Sequence, residues 1–218
     1  MLLNSMKPIV LFDCDGTLIH TYDLIKATFI ETFKQCLPDF DATEDHIKSY
    51  FGPTIDDTFW TLTSNPIKHK ELMDTYRKIN LELHPKFVYA YPNVNKTLSI
   101  LKESGYKIGI VSNKMKHVIE YGLTLTNTLS YIDYIVGSDC VEIPKPNPMG
   151  VKLALAQFHQ NEAIFIGDSL IDIDTAIAAN IPSVGVTWAH VTKEEFIKRN
   201  ATYVVDDMLE LLTILGEM

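Results

Sequence analysis

Six short runs of apolar, largely β-branched residues punctuate the chain: Pro8–Phe12, Lys107–Val111, Ile132–Val136, Ala163–Ile166, Ser183–Val186 and Tyr203–Val205. Runs this short and this continuously apolar fit strands covered on both faces, the environment of a parallel sheet. Helical segments lie between them. Asn93–Ser104 is closed by Gly105 as a C-cap, Met115–Thr126 follows, Pro148–His159 is opened by Asn147 and Pro148, and Ile171–Ala179 completes the series. Repeated alternation of strand and helix predicts an α/β fold built on a doubly wound, Rossmann-like parallel sheet.

One interval breaks the rhythm, because roughly 70 residues separate the first run from the next helix and strand and all of them read as helical. Helices are expected near Tyr22–Cys36, Thr43–Tyr50, Ile55–Thr63 and Pro66–His84, the last opened by Asn65 at the N-cap and Pro66 at N1. Leu72, Tyr76, Ile79 and Leu83 recur at helical spacing and read as a packing stripe. The expected organisation is an α/β core of residues 1–19 and 88–218 carrying an inserted helical unit at 20–87.

At 218 residues the chain can bury a sizeable core. Its three cysteines, Cys14, Cys36 and Cys140, form an odd, widely spaced set without a CxxC pair, which fits a reducing compartment and offers no zinc site. Met1–Lys7 lacks a basic n-region, and no apolar run approaches the roughly 18 residues of a membrane span, so a cytoplasmic protein without a membrane partner is expected. A formal charge of −9 disfavours a nucleic-acid partner, whose phosphates are bound by clustered lysine and arginine. An acidic protein can still bind a small phosphorylated molecule where a metal and a few local cations neutralise it.

In an open α/β sheet, ligands sit outside the carboxyl ends of the strands. Three runs end in polar residues there: Asp13-Cys14-Asp15-Gly16-Thr17 after the first, Ser112-Asn113 after the second, and Gly167-Asp168-Ser169 after the fourth. Lys145-Pro146-Asn147-Pro148 adds a cation just before a helix. Crowded carboxylates repel one another unless a counter-charge is present. Magnesium, which takes oxygen ligands from one or two carboxylates, waters and phosphate, suits Asp13, Asp168 and a backbone carbonyl near Asp15, with Lys145 neutralising remaining charge.

A DxDGT string alone arises by chance in on the order of 0.2% of chains of this length, so it is informative by itself. Its bland alternative is an Asx-type turn closing a strand. Ser112 and Asn113 are weaker signals, since polar residues after strands are ordinary turn formers and caps. An unpaired Asp168 at the end of an apolar run would be costly. Asp172, four residues on, either returns to the same site or favours the positive end of its helix. Strand alternation points Cys14 away from Asp13 and Asp15, into packing. His20, Thr21 and Tyr22 stand where a substrate contact or a hinge is equally expected.

These motifs, in this order, resemble the haloacid dehalogenase superfamily of phosphohydrolases: Asp13-Cys14-Asp15-Gly16-Thr17-Leu18, Ser112-Asn113, Lys145-Pro146, and Gly167-Asp168-Ser169 with Asp172. The inserted unit looks like the mobile helical cap of the subgroup containing phosphoglycolate phosphatases and pyrophosphatases, with Gly52-Pro53-Thr54 resembling its substrate-contacting loop and His20 at the cap entry. The resemblance implies a Mg2+-dependent phosphatase. Asp13 would be the nucleophile and Asp15 the general acid and base, with Ser112, Asn113 and Lys145 binding the phosphoryl group. Asp13, Asp15 and Asp168 would hold the metal, and Ser169 and Asp172 would support them. Asn180 stands where relatives usually have glycine, and Trp188-Ala189-His190 replaces the more usual Trp-Gly, which weakens any assignment to phosphoglycolate or pyrophosphate specifically.

Two rivals remain at this level. A phosphosugar mutase would share the motifs and return the phosphoryl group to a sugar. A non-catalytic phospholigand-binding protein would not need a nucleophile and an acid together. The sequence leaves monomer and homodimer both open.

Overall fold

The computed structural model describes residues 7–217; the first six residues of the expected core segment 1–19, and Met218, lie outside the described residues. In chain order the elements are β1 (Ile9–Phe12), β2 (Ile19–His20), α1 (Tyr22–Cys36), α2 (Glu44–Ser49), α3 (Ile55–Leu62), α4 (Pro66–Phe87), β3 (Tyr89–Ala90), α5 (Val94–Glu103), β4 (Ile108–Val111), α6 (Lys116–Leu125), β5 (Tyr134–Val136), α7 (Met149–Phe158), β6 (Ala163–Gly167), α8 (Leu170–Ala179), β7 (Ser183–Val186), α9 (Lys193–Lys198), β8 (Tyr203–Val205) and α10 (Glu210–Glu217). Among the described residues, six strands form one sheet in the order β5-β4-β1-β6-β7-β8, each pair parallel. The doubly wound α/β fold expected from the run spacing is the fold observed.

β1 lies at the centre, which is why all four of its residues are buried and apolar. Its side chains alternate: Val10 and Phe12 join Ile108, Ile110, Leu98 and Ile119 on one face, while Ile9 and Leu11 join Val151, Ala154 and Phe165 on the other. Burying a phenylalanine such as Phe12 or Phe165 contributes roughly 2–3 kcal/mol. The strand order reverses beside β1, so β4 and β6 flank it and all three carboxyl ends open onto one crevice.

The inserted helices have a core of their own, built around Phe29, Phe33, Tyr50, Phe59, Leu72 and Tyr76. The chain enters and leaves this unit through a ribbon absent from the expected elements: β2 and β3 pair antiparallel, Ile19 opposite Ala90 and His20 opposite Tyr89. A ladder of two residues is too short to show as a periodic pattern. α4 also runs on past the expected stop at His84, carrying Pro85 within its last turn. A proline there removes one terminal hydrogen bond, and Val88 N–H closes the turn on the His84 carbonyl at 3.1 Å. Two further helices, α9 and α10, go beyond the expected set; Thr192 and Glu195 form a capping box before α9 that could have announced it. Asn180 takes the left-handed C-cap conformation at φ 56, as its position after α8 requires. No helix among the described residues is long and apolar enough to cross a membrane.

Candidate active site

A cavity of about 370 Å3 opens at the carboxyl ends of β1, β4 and β6, beneath the inserted helices. Asp13, Asp15, Ser112, Asn113, Lys145 and Asp168 all line it. Ser169 adds to the same floor, and Gly52, Pro53 and Thr54 face it from the inserted unit. His20 is not part of this lining: its ring stacks on Tyr89 at 4.5 Å in the β2–β3 ribbon.

Asp13 follows directly on β1, its N–H donating to the Ile166 carbonyl at 2.8 Å, which anchors it to the end of β6. Lys145 Nζ lies 2.9 Å from Asp13 Oδ1 and 2.6 Å from Asp172 Oδ1. All three side chains are buried; Asp172 is only 1% exposed. Burial, with help from Asp172 and Asp15 and against Lys145, raises the Asp13 carboxyl from 3.8 to about 6. Burial opposes the charge on Lys145 too, but Asp13 and Asp172 outweigh it and hold the ammonium above the ordinary lysine range. Asp168 is pushed well above the usual carboxylate range by burial, then by Asp172 and Asp13.

Asp172 is positioned from its own helix start. Ser169 caps α8, and its N–H and hydroxyl donate to Asp172 Oδ2 at 3.0 and 2.6 Å. That reciprocal cap leaves Oδ1 free to accept from Lys145. Asp172 thus does both of the things its spacing allowed, returning to the site from the first turn of the helix.

Asp13, Asp168 and Asp172 bring carboxylate oxygens within 4.8 Å of one another. Three carboxylates face the single ammonium of Lys145, an excess of negative charge that a divalent cation fits. Asp168 is pressed onto the backbone of Gly16, where a Cβ would come within 2.2 Å of Oδ2, and Thr17 Oγ1 donates to Asp168 Oδ1 at 2.9 Å. The Asp15 carboxylate lies outside this cluster and pairs with Lys114 Nζ at 2.9 Å. A metal held as expected from the sequence would take the Asp15 backbone and leave its side chain to other work.

Asn113 has an arrangement the sequence did not suggest. Its Nδ2 donates to the carbonyls of Gly52 at 2.9 Å and Lys145 at 3.1 Å, and its Oδ1 accepts from Lys145 N–H at 2.8 Å. The side chain, which also lines the cavity, ties the lysine loop to the inserted unit. Cys14 is buried with the Val10 and Phe12 face of the core, and burial pushes its thiol well up, which fits packing and not nucleophilic chemistry.

A doubly wound sheet whose central strand ends in Asp13 and Asp15, with a buried lysine and a second acidic strand end at Asp168 around one cavity, defines the haloacid dehalogenase-like hydrolases. The chain belongs to this family, whose model matches residues 10–186. Among curated relatives it is similar to pyrophosphatase PpaX of Listeria welshimeri, 36% identical over 210 residues that cover 95% of this chain and 96% of the relative. Pyrophosphatase PpaX of Anoxybacillus flavithermus is 35% identical over 209 residues, again 95% and 96% of the two chains. The crystal structure of a haloacid dehalogenase-like hydrolase from Bacteroides fragilis matches with a TM-score of 0.86 and 28% identity, covering 94% of this chain and 100% of that one. A protein described as a phosphoglycolate phosphatase from Haemophilus somnus 129PT shares the fold, with a TM-score of 0.86, 21% identity and coverage of 95% and 97%.

Proposed function

We propose that this chain is a magnesium-dependent phosphatase acting on a small phosphorylated metabolite through a phosphoaspartate formed on Asp13. The observation that carries this reading is the pair of carboxylates, Asp13 and Asp15, at one strand end with Lys145 2.9 Å from Asp13. Asp13 and Asp168 would hold the metal, with Asp172 at their side. Bound there, magnesium supplies positive charge against the phosphoryl oxygens and the carboxylates.

A carboxylate oxygen of Asp13 attacks phosphorus, a new P–O bond forms, and the bond to the leaving oxygen breaks. Asp15, entering this step as the carboxylic acid, gives that oxygen its proton and is left as the carboxylate paired with Lys114, so the product departs as a neutral alcohol or its equivalent. Water then attacks the same phosphorus while Asp15 takes its proton back, releasing inorganic phosphate and restoring the Asp13 carboxylate. Lys145 offsets charge on the transferring oxygens throughout, and Asp172 fixes its ammonium in place. Ser112, buried at the end of β4, offers a hydroxyl to a phosphoryl oxygen. The inserted helices, acting as a cap, keep bulk water from the phosphoaspartate.

Phosphate release with magnesium is measured across hexose phosphates, nucleoside monophosphates, phosphoglycolate and pyrophosphate, for wild type and Asp13→Asn. Release by wild type that disappears in the variant supports the reading. Folded, magnesium-saturated wild type that releases phosphate from none of them would overturn it.

A further inference from the structure

The cavity is far from uniformly polar, and its apolar part has a specific construction. Tyr22, at the start of α1, stacks with Phe51 of the cap loop at 5.1 Å and 23°. Both rings meet His190, which reaches up from the segment after β7, at 4.4 Å and 61° and at 5.7 Å and 70°. These three rings border the same cavity as Asp13. Tyr22 is held in register by its hydroxyl, which donates to Glu44 at 2.6 Å. Ile25, Met73, Met115 and Val118 extend the apolar lining. Burial, Lys48 and His20 hold His190 below the ordinary histidine range, which favours the uncharged ring that stacks well.

The cations are distributed differently. Lys145 is matched by Asp13 and Asp172, and Lys114 by Asp15. Arg77 alone of the lining lysines and arginines has no ion pair among the described residues. The wall beyond the reacting centre sets Arg77, Asn80 and His117 beside ring faces and methyl groups, so a second phosphate, which needs several charge-assisted donors, would meet one unpaired cation there. A cavity of about 370 Å3 is also within the ordinary size of sites for whole small molecules, roughly 300–1,000 Å3.

We infer that the leaving group of the natural substrate is a flat, apolar or heteroaromatic moiety, seated against Tyr22, Phe51 and His190, so that the substrate class is an organic phosphomonoester carrying a ring. The inference rests on the phosphatase reading above and narrows it. Hydrolysis breaks the P–O bond to the ring-bearing group, and Asp15 protonates that oxygen as before.

The test compares benzyl phosphate, ethyl phosphate and pyrophosphate with magnesium. The two organic esters release alcohols of similar basicity, so their ratio of kcat/KM reports recognition of the ring. The expected ratio of benzyl to ethyl is roughly 30-fold in the wild type and falls to about threefold in Phe51→Ala and His190→Ala. Because each ratio is taken on one preparation, a loss of folded protein does not alter it; Phe51→Leu, which keeps bulk without a ring, gives an intermediate value. Equal turnover of the two esters, or a higher kcat/KM for pyrophosphate than for benzyl phosphate, would overturn the inference and leave the phosphatase reading standing. Release from none of the three substrates, nor from the wider panel, removes both.

Discussion

Lys114 reaches back across the site to set its ammonium 2.9 Å from Asp15 Oδ1, both side chains being half-buried in the cavity wall. The residue assigned to proton transfer is therefore aimed by a cation on a neighbouring strand end. Lys114→Met removes that partner without touching Asp13. The expected outcome is a fall in kcat of about 10- to 100-fold with a smaller change in KM, since the lost interaction serves the proton-transfer step. Steady-state kinetics check it; a change confined to KM would assign Lys114 to substrate binding instead.

Asp172 is almost without solvent contact and balances the buried Lys145. Asp172→Ala leaves the ammonium facing Asp13 alone and strands the Ser169 donors. Breaking such a buried pair from one side costs about 3–5 kcal/mol. Urea unfolding of wild type and variant should show that loss as a lower midpoint at unchanged slope.

The proton affinity of Asp13 makes metal-free stability depend on pH. Its folded value of about 6 lies above the ordinary 3.8, so the folded protein binds this proton more tightly than the unfolded chain does. The contribution is full below 3.8 and is lost as pH rises through about 6, roughly 3 kcal/mol in all. In chelator, the melting temperature of wild type should fall over this window relative to Asp13→Asn, which cannot ionise. Magnesium should raise the wild-type melting temperature far more near pH 7.5 than near pH 4.5, because protons and metal compete for the same oxygens. Scanning calorimetry across pH with and without magnesium reads both effects.

Gly16 has φ 78, and a Cβ there would collide with Asp168. Gly16→Ala should displace the Asp168 carboxylate and cost about 1 kcal/mol of backbone strain as well. Magnesium activation curves should shift to at least roughly tenfold higher metal concentration, an effect typical of disturbed ligand orientation. An unchanged curve would separate Asp168 from the metal.

Much of this site is legible in the sequence because strand ends are where polarity changes abruptly. Asp13, Asp168 and the Ser112-Asn113 pair each terminate an apolar run, and the sheet rule alone gathers them. Asp172 is legible from its spacing to Asp168. Lys114 is not, since a lysine after Asn113 and before α6 reads as an ordinary exposed helix-start residue; only the packing of β4 beside β1 turns it toward Asp15. The Asn113 side chain illustrates a second limit. Its residue type fits phosphate binding, but its partners are backbone carbonyls 61 and 32 residues away, brought near by loop closure that no local pattern encodes. His190 is similar: the sequence marks it as a departure from related chains, and only the placement of Tyr22 and Phe51 gives the departure a meaning.

The β2–β3 ribbon has a consequence for inheritance. With Ile19 opposite Ala90 and His20 opposite Tyr89, the chain leaves the sheet and returns to it at neighbouring points, about 5 Å apart across an antiparallel pair. Everything between these points forms its own apolar core, separate from the one around β1. Such a loop can be exchanged, lengthened or reshaped without changing the register of a single strand that carries Asp13, Asp15 or Asp168. Tyr22 and Phe51 are thereby written in a stretch of the gene separable from the one that carries the strand-end acids, while His190, on the segment after β7, is inherited with the core.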